Sequence, residues 1–190
     1  RRKDWEWAIR EGSVGIGNFL TPFYHALSHL TVMHLHNSGH GLETFEVEPC
    51  VRRQGLLVDG DFVQLHLVVT EVARTDHKSF VSSNLPDEML ALLGPGKLIV
   101  HIDLDYFIND FNGRGSHNIG TKSEAVRQAA VSKMRALFQA IREANRPVDM
   151  WAIATSPGFC AGENWAFLLE LIEAEVLEFT RQVPSSTAPH

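Results

Sequence analysis

The feature that most constrains the fold is an order of strand, helix, strand and helix in the second half of the chain. Residues 97–103 and 148–154 are rich in apolar side chains, which is typical of strands buried in a parallel sheet. Between them, residues 121–141 begin with the capping box TKSE and continue with apolar residues at helical spacing. A second long helix is predicted over 162–179. This order predicts a mostly parallel sheet with helical crossovers.

The first half of the chain carries weaker signals. Short helices are predicted from about residue 18 to 27 and over 85–93. Alternation of apolar and polar side chains, together with β-branched residues, predicts three strands, over 30–36, 44–48 and 62–72. The region 44–98 is therefore either part of the main sheet or an inserted hairpin.

Composition excludes several classes of function. Lys and Arg number 17 against 23 Asp and Glu, and the net charge of −6 argues against a nucleic-acid binder or an anionic membrane surface as partner. No apolar run is long enough for a transmembrane helix. Two cysteines cannot form a disulfide framework, so we expect a reducing, cytoplasmic location.

The chain is predicted to form a single domain over 1–182, followed by a disordered tail over 183–190. It starts with Arg1, so we expect it to lack part of an N-terminal region. Whether the chain forms a homo-oligomer stays open, because no sequence feature decides the oligomeric state.

The strongest chemical signal is Asp103-Leu104-Asp105, directly after the first apolar strand. Side chains at positions i and i+2 of a strand point to the same side, so both carboxylates are expected to converge at the carboxyl end of this strand. Two close anions repel unless a proton or a cation lies between them. Oxygen ligands of this kind suit Mg²⁺ or Mn²⁺. The alternative is a solvated pair of acids or a pair of helix caps.

Three kinds of protein combine an apolar strand with Asp-x-Asp. Phosphatases of the haloacid dehalogenase type use the first Asp as a nucleophile, but Thr or Val normally follows the second, where this chain has Tyr106. Lesion-bypass polymerases resemble HIDLDYF but also need an acidic Ser-x-Asp-Glu segment and a basic surface, which this sequence lacks. Ureohydrolases of the arginase type use both carboxylates as manganese ligands.

The third resemblance extends furthest along the chain. Taken together, VGIGNFLTPFYHAL at 14–27, the strand ending in His34-Leu35-His36, VHIDLDYF at 100–107 and IATSPGFC at 153–160 resemble an arginase-like family that includes peptide arginases. The resemblance implies a three-layer α/β/α sandwich with a mostly parallel sheet. It also implies two Mn²⁺ ions with Asp103 and Asp105 among their ligands, and conversion of peptidyl arginine to ornithine with release of urea.

Other residues have expected roles in the same reaction, from the resemblance or from their positions beside the motif. Glu163 or Asp110 is expected to hold the guanidinium of an arginine-containing peptide or of a small guanidino substrate. His36 and His117 are expected to contact the substrate, and His117 lies in a glycine-rich loop that could cover it. Ureohydrolases also use an Asp-x-His-x-Asp segment, which residues 1–190 lack. Two alternatives therefore stay open: a Mg²⁺-dependent phosphohydrolase with Asp103 as nucleophile, and a non-catalytic binding module with a degenerate metal site.

Two further residues near this motif have less specific roles. His101 is in phase with Asp103 and is predicted to donate to a carboxylate rather than to bind metal. Cys160 is predicted to be a small buried residue, because no partner base can be assigned to it.

Overall fold

A computed structural model describes residues 20–37, 41–54, 62–70, 78–110 and 124–182. The chain divides into two compact units, the first formed by Arg1–Leu35 and His40–Ser83 and the second by His36–Gly39 and Asn84–His190. The predicted tail at 183–190 and the start of the capping box at Thr121 lie outside the described residues. Within the described part of the chain, every helix is too short or too polar to cross a bilayer.

The described residues of the first unit form a short helix and four strands: α1 (Thr21–Ala26), β1 (Leu30–Leu35), β2 (Glu43–Gln54), β3 (Phe62–Val69) and β4 (Lys78–Ser83). The strands form one sheet in the order β1-β4-β2-β3. β1 runs parallel to β4, whereas β2 runs antiparallel to both β4 and β3. This sheet is therefore mixed.

Tyr24 fixes α1 to the sheet of the first unit. Its side chain is fully buried, and its hydroxyl donates to the carbonyl of Ser79 on β4 at 2.9 Å. Val47 and Val81 on neighbouring strands are also buried. Because the phenol lies in this apolar core, burial raises the pKa of Tyr24 well above its usual value.

The second unit contains α2 (Pro86–Leu90), β5 (Leu98–Asp103), a 3₁₀ helix (Leu104–Tyr106), α3 (Glu124–Glu143), β6 (Val148–Ala154) and α4 (Gly162–Gln182). β5 and β6 pair in parallel, with Asp103 opposite Ala154 at their carboxyl ends. The predicted bounds of β6 and the start of α4 coincide with the observed ones. The parallel crossover through α3 is confirmed.

An aromatic cluster holds this unit together. Trp151 of β6 stacks on Phe138 of α3, with ring centroids 5.3 Å apart, and meets Phe179 of α4 edge-on at 5.5 Å. Phe138 and Phe179 are buried, and the remaining buried apolar residues of the two helices are Ala130, Met134, Leu137, Ala140, Ile141, Leu168 and Ile172. Both helices therefore contact the face of β6 that carries Trp151.

The predicted three-layer sandwich with a mostly parallel sheet is wrong. The described strands form a mixed four-stranded sheet and a separate pair, β5 and β6. On that pair, the face opposite Trp151 exposes Ile99 by 67% and Met150 by 50%. The polar–apolar alternation of β3 is typical of antiparallel strands with one solvated face, and β3 indeed pairs antiparallel with β2. The described part of the protein is thus a small mixed α/β fold.

Candidate functional site

The Asp-x-Asp motif lies where β5 leaves the sheet. β5 ends at Asp103, and Asp105 lies in the following 3₁₀ helix. The expectation that both carboxylates share one strand face is therefore wrong for Asp105. Leu104 is fully buried between them, and Phe107 and Ile108 are 8% and 2% exposed. These apolar anchors close the turn and leave both aspartates outside the core.

The carboxylate of Asp103 lies beside two side chains, those of Ser156 and His101, and one of them donates a hydrogen bond to it. Ser156, just beyond β6, donates its hydroxyl to Oδ1 of Asp103 at 3.1 Å. Nδ1 of His101 lies 3.8 Å from Oδ2, which is beyond hydrogen-bond distance, so the predicted donation from this histidine to the carboxylate stays a prediction. The side chain of Asp103 is about half exposed (49%). Its carboxylate is therefore oriented and still accessible to a ligand.

Asp110 lies against the start of α4. Its Oδ2 accepts the backbone N–H of Ala161 at 2.7 Å and the side-chain amide of Asn164 at 3.3 Å. Its own N–H donates to the carbonyl of Phe159 at 2.7 Å. A carboxylate at this position is favoured by the unpaired N–H groups and the dipole of the helix. Oδ2 of Asp110 therefore has a structural role at the start of α4, independent of any role of Oδ1.

The second oxygen of Asp110, Oδ1, is buried and has no hydrogen-bond partner among the described residues. The same holds for Oδ1 of Asn164, whose side chain is fully buried. Buried acceptors are usually paired. These two oxygens could therefore each accept a hydrogen bond from a further donor or from a water molecule.

Cys160 is a buried thiol whose pKa is affected by the charges of two acidic residues. Its side chain is 1% exposed, as predicted for a small buried residue. Burial raises the pKa of its thiol to about 11, with smaller contributions from the charges of Asp110 and Asp105. The thiol therefore stays protonated at neutral pH and is a poor nucleophile.

The remaining predicted site residues are less closely tied to this motif. Glu163 lies exposed in the first turn of α4, where the helix dipole favours an acid. His36 follows β1, belongs to the second unit and is half-buried. His117 lies outside the described residues.

Lys133, which the sequence patterns did not identify, stabilises the 3₁₀ turn that contains Asp105. Nζ of Lys133 donates to the carbonyl of Tyr106 at 2.8 Å and to Oδ1 of Asn37, and it lies 4.4 Å from the centroid of the Tyr106 ring. The side-chain amide of Asn37 donates to the same carbonyl at 2.9 Å. Burial lowers the pKa of Lys133. In the sequence, Lys133 is marked only as a charged residue next to the apolar Met134. This pattern is common in amphipathic helices, so it does not identify a residue near the motif.

The donor chemistry of Asp103 and Asp105 fits a hard divalent cation, which prefers carboxylate oxygens. Such an ion takes more ligands than two side chains supply. In the part of the chain that the structure describes, no group of three or more His, Cys, Asp or Glu side chains is arranged to hold a metal ion. Within the described residues, these two aspartates could therefore supply at most part of the ligands that such an ion takes.

Comparison with known proteins identifies no family for this chain. No protein-family model and no curated protein matches the chain.

Proposed function

We propose that this chain is a manganese-dependent hydrolase of guanidino groups that converts arginine within a peptide to ornithine and releases urea. The observation that best supports the proposal is the position of Asp103, an accessible carboxylate at the carboxyl ends of a parallel strand pair, with Asp105 in the next turn. Ligands of parallel sheets bind at this end. The segments HIDLDYF and SPGFC, which meet there, also carry the resemblance to the arginase-like family.

In the proposed site, Asp103 and Asp105 are metal ligands. When bound, Mn²⁺ supplies the Lewis acidity that lets water act as a nucleophile near neutral pH. A carboxylate holds the guanidinium through paired, charge-assisted hydrogen bonds. Glu163 suits this task better than Asp110, because Oδ2 of Asp110 already accepts two hydrogen bonds at the start of α4. His36 and His117 are the proposed substrate contacts.

The test compares metal content and urea release for the wild-type chain, Asp103→Asn and Asp149→Asn, purified from manganese-supplemented cells. Asp149 is the matched control, because it is a carboxylate at the opposite end of the same strand pair, where it lies 3.2 Å from Lys97. Asp103→Asn is expected to lose retained manganese and urea release from an arginine-containing peptide. Asp149→Asn is expected to keep both. Full urea release by Asp103→Asn would refute the metal assignment.

A non-catalytic binding module is the second candidate. It is favoured by the incomplete ligand set, since Asp103 and Asp105 have no third His, Cys, Asp or Glu ligand among the described residues. This candidate predicts that the wild-type chain retains no manganese and releases no urea from either an arginine-containing peptide or free arginine. Two manganese ions per chain, measured by inductively coupled plasma mass spectrometry, would exclude it.

A further inference from the structure

Ser156 adopts a backbone conformation that serine rarely takes. Its φ is +48°, in the left-handed region that favours glycine and asparagine. Among the described non-glycine residues, Asn145 is the other one with a positive φ, at +49°, and asparagine tolerates this region well. A serine at such a position costs conformational energy that a glycine would not.

The loop that contains Ser156 is tightly held. The carbonyl of Ser156 accepts the N–H groups of Phe159 at 3.0 Å and Cys160 at 2.9 Å, and Gly158 has a φ of +91°. Six residues after Ser156 the chain enters α4, whose start is bound by the carboxylate of Asp110. The loop is therefore fixed at both ends, and the left-handed turn at Ser156 sets the direction of its side chain.

That side chain reaches one acceptor that matters for the proposed function. The hydroxyl of Ser156 donates to Oδ1 of Asp103 at 3.1 Å, across the carboxyl ends of β5 and β6. The other oxygen of Asp103 faces His101 at 3.8 Å. A glycine would relieve the backbone strain, so the hydroxyl is the feature that this position gains from serine.

We propose that Ser156 is a positioning residue, whose hydroxyl orients the Asp103 carboxylate for a divalent cation. The inference rests on the proposed function in one respect, which is that Asp103 is a metal ligand. Residues that orient metal ligands typically change metal affinity by about 10- to 100-fold when they are removed. Ser156→Gly removes both the hydroxyl and the strain, whereas Ser156→Ala removes the hydroxyl alone, so a comparison of the two variants separates the two effects.

The experiment measures Mn²⁺ affinity, by the electron paramagnetic resonance signal of free Mn²⁺, and the Tm of the metal-free full chain. Ser156→Gly is expected to bind Mn²⁺ about tenfold more weakly, with a Tm equal to or above that of the wild-type chain. Ser156→Ala removes the hydroxyl and keeps the strain, so it is expected to lose the same affinity. Asn145→Gly, at the other left-handed position, is expected to leave Mn²⁺ affinity unchanged.

Several results would overturn the inference, and they can be distinguished from one another. If Ser156→Gly binds Mn²⁺ as tightly as the wild-type chain while Asp103→Asn binds it weakly, Asp103 is a ligand but Ser156 does not position it. If Asp103→Asn binds as tightly as the wild-type chain, or the wild-type chain binds no Mn²⁺, the metal assignment itself fails and the role of Ser156 fails with it. A purely structural role for Ser156 would lower Tm in Ser156→Gly without a change in affinity.

Discussion

Asp110→Ala is expected to lower the free energy of unfolding by about 3 kcal/mol. A hydrogen bond to a charged group contributes roughly 1.5–3 kcal/mol, and loss of a helix-capping side chain costs roughly 1 kcal/mol. Asp110 makes one short bond of this kind, to the N–H of Ala161 at 2.7 Å, and a longer one to Asn164 at 3.3 Å. Because Asn164 is fully buried, water cannot readily replace the lost acceptor.

The assay is urea denaturation of the full chain, followed by circular dichroism. Asp149→Ala is the matched control, because its side chain is 51% exposed and its ion pair with Lys97 lies at the surface. That control is expected to change the free energy of unfolding by less than about 0.5 kcal/mol. Asp110→Asn keeps an oxygen acceptor but loses the charge, and we expect it to cost about 1 kcal/mol.

A double-mutant cycle with Asn164→Ala locates the effect. Because the two side chains share a hydrogen bond, the cycle is expected to give a coupling free energy of about 0.5 kcal/mol or more. An Asp110→Ala variant as stable as the wild-type chain would refute the capping argument. It would return Asp110 to the substrate-holding role predicted from the sequence.

Two further predictions concern the core and the buried thiol. Phe138→Ala is expected to cost roughly 3–5 kcal/mol in urea denaturation, because this ring is fully buried and stacked on Trp151. Leu177→Ala, at a side chain 48% exposed on α4, is the control, and an equal cost for the two variants would contradict the described packing. Burial and two neighbouring carboxylates raise the pKa of Cys160 from 9.0 to about 11, so the folded state binds the thiol proton more tightly than the unfolded state does. The wild-type chain should therefore lose Tm relative to Cys160→Ala as pH rises from about 9 to 11, and parallel Tm curves would contradict this.

The sequence predicted local structure well where apolar spacing and helix signals agree. The strand at Val148–Ala154 and the start of the helix at Gly162 match their predicted positions because periodicity and flanking polar residues mark both. The arrangement of the sheets was predicted less well. Which strands pair depends on contacts between distant residues, such as Cys50 opposite His66, and local alternation does not encode them.

In the candidate site too, features set by local sequence were predictable and features set by distant contacts were not. The position of Asp103 at a strand end followed from the apolar run before it. The departure of Asp105 from that strand depends on burial of Leu104, which a two-residue periodicity does not reveal. Ser156 and Lys133 contact the motif across 53 and 27 residues of chain, respectively, so no local pattern could have identified them.

The division of the chain into units has a consequence for how pieces of this protein are made. Asn37 belongs to the second unit, where its side chain contacts Tyr106 and Lys133, although most of that unit begins at Asn84. On the ribosome, this amide emerges well before the residues it binds. A single cut before Asn84 would therefore release a fragment without one of its own hydrogen-bonding groups, and a fragment that preserves the support of the Asp105 turn has to include residue 37.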